Sequence, residues 1–206
     1  SASNPISYTK DTETFTLANP TRTGYTFTGW TGTGLSSVST SVIIPKGSTG
    51  DRTYTANWSA ATYTIAYNCN GGTGSTASST HTVGVAKNLT SNGCSKAPVT
   101  GTATSTSVAS APMIYYFAGR STSSSATSAT YTNGQSVTNV GTSGTVTLYA
   151  VWKPLFTYNQ KYQVINDGGT NWRVKFFETG TFTPLTSVNI DIFCVGGGGG
   201  GGYADS

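Results

Sequence analysis

Along TRTGYTFTGWTGTG (Thr21 to Gly34) aromatic residues alternate with threonine, so that Tyr25 and Phe27 share one face before the run stops on Gly29 and Trp30. A period of two is the mark of a half-buried strand. The same period puts Tyr54, Ala56 and Trp58 on one face of RTYTANW, and Leu148, Ala150 and Trp152 on one face of VTLYAVW. TYTIAYN (Thr62 to Asn68) reads as a further strand, followed by the turn sequence GGTG. Near the far end KYQVIN, WRVKFF and NIDIFCV predict three more strands, separated by DGGTN and ETGTFTPLTS turns.

Two of these patterns occur twice. RTYTANW matches VTLYAVW, and YTFTGW (Tyr25 to Trp30) matches YYFAGR (Tyr115 to Arg120). Tyr115, Phe117 and Gly119 thus take the places of Tyr25, Phe27 and Gly29, while Arg120 stands where Trp30 does; its guanidinium either stacks on an aromatic neighbour or points to solvent. NPTRTGY has a looser echo in GCSKAPV. Internal similarity of this kind predicts repeated units. The expected organisation is a first repeat over 1–60 and a second, divergent repeat over 61–154. The second is enlarged by a Ser/Thr/Ala-rich loop insertion from about Thr100 to Ala111. Residues 155–206 form a third, β-strand segment leading into polyglycine. The first repeat has no counterpart of TYTIAYN, so the chain is expected to enter partway into the pattern. The missing strand then comes from upstream in a longer protein or from a neighbouring chain, because an unpaired sheet edge invites strand addition.

The seven glycines Gly196 to Gly202 are read either as a flexible tether or as packed polyproline-II-like glycine helices. Composition agrees with a mainly β chain: 12% of residues are aromatic and only 9% are charged, while threonine and glycine are abundant. The net charge of +4 is spread from Lys10 to Lys175 with no basic stripe, which argues against nucleic acid as a partner. No run of about 18 apolar residues is present to span a membrane, and no signal-peptide pattern opens the chain. A start on Ser1 is expected of a mature or excised fragment.

Cys69 and Cys94 lie 25 positions apart within the proposed second repeat, either bridged in an oxidising compartment or left as two thiols. Cys194 alternates with Ile190 and Ile192 and is expected in a core. Catalytic groups are sparse. Between Asp51 and Asp167 there is no carboxylate, so paired-acid chemistry has nothing to work with in the second repeat. The single histidine, His81, is expected on the surface of a Thr-rich strand, and no CxxC or HExxH spacing offers a metal site. A reaction centre would have to be built from Asp167, Glu178 or Asp191, so no enzyme, cofactor or metal is expected. Two glycosylation triplets, at Asn57 and Asn88, would matter only in a eukaryotic secretory pathway.

NPTRTGYTFTGWTGTG followed by IPKGSTGDRTYTANW resembles the Listeria–Bacteroides repeat, or internalin B-repeat family, in the residues Tyr25, Phe27, Gly29, Trp30, Ala56 and Trp58. Tyr115, Phe117, Gly119, Ala150 and Trp152 carry the likeness into the second repeat. The final segment is similar to glycine-rich C-terminal modules of bacterial surface and phage tail proteins. The resemblance implies tandem β-grasp-like modules in a secreted, non-enzymatic protein of the bacterial cell surface. Expected partners are a host or cell-surface protein or glycan, with a homo-oligomer or strand-donating neighbour as further options. A structural or receptor-binding part of a phage tail fibre is the alternative, with the virion as its location. The tryptophans are expected to serve mainly as core packing in a thin module, where burying each is worth about 1.5–3 kcal/mol.

Overall fold

The computed structural model describes residues 3–103, 112–168 and 171–194. Among these residues the chain is mainly β and contains no helix. The strands run β1 (Phe15–Thr16), β2 (Tyr25–Gly32), β3 (Ile43–Ile44), β4 (Tyr54–Ala60), β5 (Thr62–Asn68), β6 (Thr73–Gly74), β7 (Ser79–Thr82), β8 (Lys87–Asn88) and β9 (Cys94–Ser95). They continue as β10 (Gly101–Ala103), β11 (Tyr115–Ser121), β12 (Ser136–Val137), β13 (Thr145–Pro154), β14 (Phe156–Tyr158), β15 (Tyr162–Gly168), β16 (Asn171–Phe176) and β17 (Phe182–Pro184). The chain divides into two compact units, one made of Ser1–Ala97 with Tyr115–Lys153 and the other of Pro98–Ile114 with Pro154–Ser206.

In the first unit β2 and β4 pair antiparallel, with Phe27 opposite Trp58 and Trp30 opposite Ala56. Strict alternation would send Phe27 and Trp30 to opposite faces, since three positions separate them. A register shift between Phe27 and Gly29 inserts one extra residue and turns Trp30 back beside Phe27, their ring centroids 5.4 Å apart. Gly29 makes this turn at φ 136°, and a Cβ there would stand 2.9 Å from the Ser39 carbonyl oxygen. Trp30, Val42 and Ile44 are buried, with Phe15, Leu17 and Tyr54 packed against them. The indole N–H of Trp30 donates to Asn19 Oδ1 at 2.9 Å, so its one polar atom is satisfied.

The same unit holds a four-stranded sheet in the order β11-β13-β5-β7 and the short pairs β1-β3, β8-β12 and β6-β9. β5 lies parallel to β13 and antiparallel to β7, and the inner residues of TYTIAYN are covered: Tyr63 and Ile65 join Val83, Leu89, Val137 and Leu148 in a second core. Several details recur between the halves of the unit. The Leu17 amide donates to the Val42 carbonyl and the Leu89 amide to that of Gln135, both at 2.9 Å. Trp30 exchanges two backbone bonds with Ser39, and Arg120 exchanges two with Tyr131. Gly119, at φ 135°, repeats the backbone of Gly29.

The second unit holds an antiparallel sheet in the order β10-β15-β16 and the pair β14-β17. Phe156, Tyr162 and Val164 are buried there, and the Tyr162 hydroxyl donates to the Pro112 carbonyl at 2.8 Å.

Three expectations need correction. NIDIFCV was expected to form a strand with Cys194 in a core. Its described residues instead form no strand, Phe193 is 91% exposed, and Cys194 is an exposed free thiol. Alternation buries a face only when a neighbouring strand covers it, and no described strand pairs with this stretch. The insertion expected from about Thr100 to Ala111 is not simply loop: Gly101–Ala103 pairs antiparallel with Tyr162–Val164, a strand edge far along the chain that local sequence does not reveal. His81, expected at the surface, is 1% exposed, because the pairing of β7 with β5 stacks it on Tyr63. The glycine run Gly196 to Gly202 lies outside the described residues.

Candidate functional site

Half-buried aromatics form a stripe on the first half of unit one. Phe27 and Trp58 meet edge to face at 5.7 Å and 73°, a consequence of their pairing across β2 and β4. Tyr25 precedes them on the same strand, and the Arg22 guanidinium sits 3.7 Å above its ring. Pro20, Thr21 and Thr23 join these four to line an open groove of about 370 Å³. Arg22 was not singled out from sequence as a site residue; a cation three positions before an aromatic in TRTGY was the available signal.

The second half carries the same set. Phe117 and Trp152 meet edge to face at 5.7 Å and 70°, and the Lys96 ammonium lies 4.6 Å from the centre of the Tyr115 ring. Here the cation and its tyrosine are 19 positions apart in sequence, which hides the pair from a linear reading. The indole N–H of Trp152 donates to the Cys69 carbonyl at 2.8 Å. An apolar ring face beside a fixed cation and threonine hydroxyls suits a ligand that is itself amphipathic. Sugar rings have this character, with C–H faces that stack on aromatics and hydroxyls that accept hydrogen bonds.

The sequence positions split into two roles. Trp30, Gly29, Ala150 and Gly119 are buried and hold the strands in place, whereas Tyr25, Phe27, Trp58, Tyr115, Phe117 and Trp152 are partly open. Arg120, at the position of Trp30, is not solvent-directed. It is 1% exposed, with its guanidinium 4.5 Å from the Tyr67 ring and 5.2 Å from that of Phe117. Nη2 donates to Thr76 Oγ1 at 3.0 Å and to Asn92 Oδ1 at 3.2 Å, while Nη1 is buried with no partner among the described residues. Burial pushes this guanidinium below its ordinary range, against a weaker opposing effect from Tyr67.

His81 is buried because β7 lays it over Tyr63, with ring centroids 5.5 Å apart. Its Nε2 shares a 2.9 Å hydrogen bond with Ser79 Oγ, which in turn meets the Tyr67 hydroxyl at 3.1 Å. Desolvation lowers the imidazole pKa, and the charge of Lys87 adds to the effect. Cys69 and Cys94 form a disulfide with a Cα–Cα distance of 5.6 Å. Such a bond fits an oxidising compartment. No helix among the described residues is long and apolar enough to cross a membrane. Of the two glycosylation triplets, Asn57 is partly buried and uses its amide nitrogen on Gly29 O, Thr31 Oγ1 and Thr55 O, whereas Asn88 is exposed. The chain matches no family model, no curated protein sequence and no solved structure.

Proposed function

We propose that this chain is a non-enzymatic attachment protein of the bacterial cell surface, and that its first unit presents two copies of one β-grasp-like module to a glycan. The doubled stripe carries this reading. Arg22, Tyr25, Phe27 and Trp58 recur as Lys96, Tyr115, Phe117 and Trp152, with aromatic pairs of nearly the same separation and tilt. In both copies a cation stands over a tyrosine that stays half-open, beside an edge-to-face aromatic pair. Two equivalent sites on one chain would also raise avidity for a repeating polymer. The disulfide supports an extracellular setting.

A glycan and protein array probed with the full chain tests the proposal. Binding to one glycan class, lost at least tenfold in the Trp58→Ala/Trp152→Ala double variant with the fold retained, supports it. Silence on both arrays leaves only a spacer role.

A further inference from the structure

Most cations of unit one spend their charged nitrogens on the protein itself. Lys10 and Lys46 pair with Asp11 and Glu13, Arg52 donates to the Tyr8 hydroxyl, and Lys87 donates to the Thr80 carbonyl. Arg120 donates to Thr76 and Asn92. Arg22 and Lys96 differ: among the described residues neither side chain makes a hydrogen bond or an ion pair. Each lies over a tyrosine ring instead. A ring face attracts a cation but offers no lone pair, so the guanidinium and ammonium N–H groups stay open to a ligand. No acid offsets them either. No carboxylate lines the groove at Arg22, and none lies between Asp51 and Asp167 in the sequence.

Local spacing does not explain why both copies hold such a cation. Arg22 precedes its tyrosine by three positions. Between Lys96 and Tyr115 the chain passes through Pro98–Ile114, which belong to the other compact unit, yet Tyr115 still comes to rest beneath the ammonium. What the copies share is charge and not shape, since arginine offers a planar fork and lysine a single ammonium. Beside each cation the edge-to-face pair, Phe27 with Trp58 or Phe117 with Trp152, remains partly open.

We infer that the two stripes take an acidic polysaccharide whose sugar rings carry carboxylates. The carboxylate pairs with Arg22 or Lys96 while the C–H face of the same sugar lies on the open aromatics. In a uronic acid the carboxylate is bonded directly to the sugar ring, so one residue reaches both the cation and the rings next to it. Charge repeated along the polymer meets two sites of the same sign. This rests on reading the stripes as glycan sites and adds to it the charge of the ligand.

The test measures binding of the full chain to polygalacturonate, polymannuronate and hyaluronan, each beside the same polymer with its carboxylates reduced to alcohols. At least one acidic form is expected to bind roughly tenfold tighter than its reduced partner, because two charges act on one polymer. The gap should narrow as salt rises through about 0.1 M, where the Debye length is about 10 Å. Arg22 is exposed and Lys96 half-buried, so substitution at either leaves the cores intact. In Arg22→Gln/Lys96→Gln the gap should vanish, whereas Arg22→Lys, which keeps the charge, should retain it. Lys161→Gln/Lys175→Gln removes the same net charge from the other unit and should match the native chain within about twofold. Equal binding of acidic and reduced polymers overturns the inference, and so does an equal loss in the Lys161/Lys175 control, which would assign the preference to net charge. Dextran sulfate, which has no carboxylate, binding as tightly and depending on the same two cations, overturns the choice of a carboxylate. A chain that binds none of the uronate polymers overturns the inference as well. Neutral-sugar hits on the glycan array would then leave the attachment reading standing, whereas silence there would remove both.

Discussion

Consider a chain in which Cys69 is replaced by serine and Cys94 by alanine. The bridge closes a loop with a sequence separation of 25, and this loop carries β7 together with Val83 and Leu89 of the second core. Opening it returns loop entropy to the unfolded chain, worth about 3.5 kcal/mol at 25 °C for that length. Cys94 is buried, so alanine keeps its site apolar, and the half-buried Cys69 tolerates a hydroxyl. Against a usual domain stability of about 5–15 kcal/mol the loss is a large share. The assay is urea unfolding followed by tryptophan fluorescence, to which Trp152 contributes through its hydrogen bond to the Cys69 carbonyl. With a slope of about 2 kcal/mol/M, the midpoint should fall by about 1.5–2 M in the variant, and equally in native protein treated with reductant. A loss under about 1 kcal/mol with unchanged slope in both would refute the loop-entropy reasoning.

Gly29→Ala and Gly119→Ala should each cost about 2–3 kcal/mol, since both positions need positive φ and a new Cβ would meet the carbonyl oxygens of Ser39 and Tyr131. Gly47→Ala, at φ 88° with open space around it, should cost only about 1 kcal/mol; denaturation curves that fail to separate the three would discount the contacts. Arg120→Lys should destabilise by about 1–3 kcal/mol, because a single ammonium cannot stack on two rings while reaching both Thr76 and Asn92, and thermal melts check this. For His81 the folded pKa lies below the unfolded one, so the unfolded chain binds the extra proton. The contribution of the neutral ring is complete above about pH 6.5, declines as pH falls below that value and levels off under the folded pKa. His81→Gln should flatten this part of a stability profile between pH 7.5 and 5; an unchanged slope would assign it to other groups.

Alternation and turn chemistry made much of the strand content readable. Period two over TYTANW, TYTIAYN and TLYAVW, and the turn glycines between them, act through the backbone of the same few residues, so local sequence suffices. The spacing of Cys69 and Cys94 made a bridge one of two readings, and only the meeting of β6 with β9 brought the thiols together. Other features depended on distant neighbours. The extra residue at Thr28 reverses the face of Trp30, which strict alternation does not predict. Arg120 and His81 are buried because Phe117, Tyr67 and Tyr63 surround them, and polarity alone would have left both outside. Conversely, Ile192 and Phe193 have the right pattern for a strand but no described sheet beside them. The candidate groove shows the same division: its aromatics stand out in the sequence, while the cations over Tyr25 and Tyr115 are placed by the fold. Backbone preference is local, whereas burial is decided by whatever the tertiary structure brings into contact.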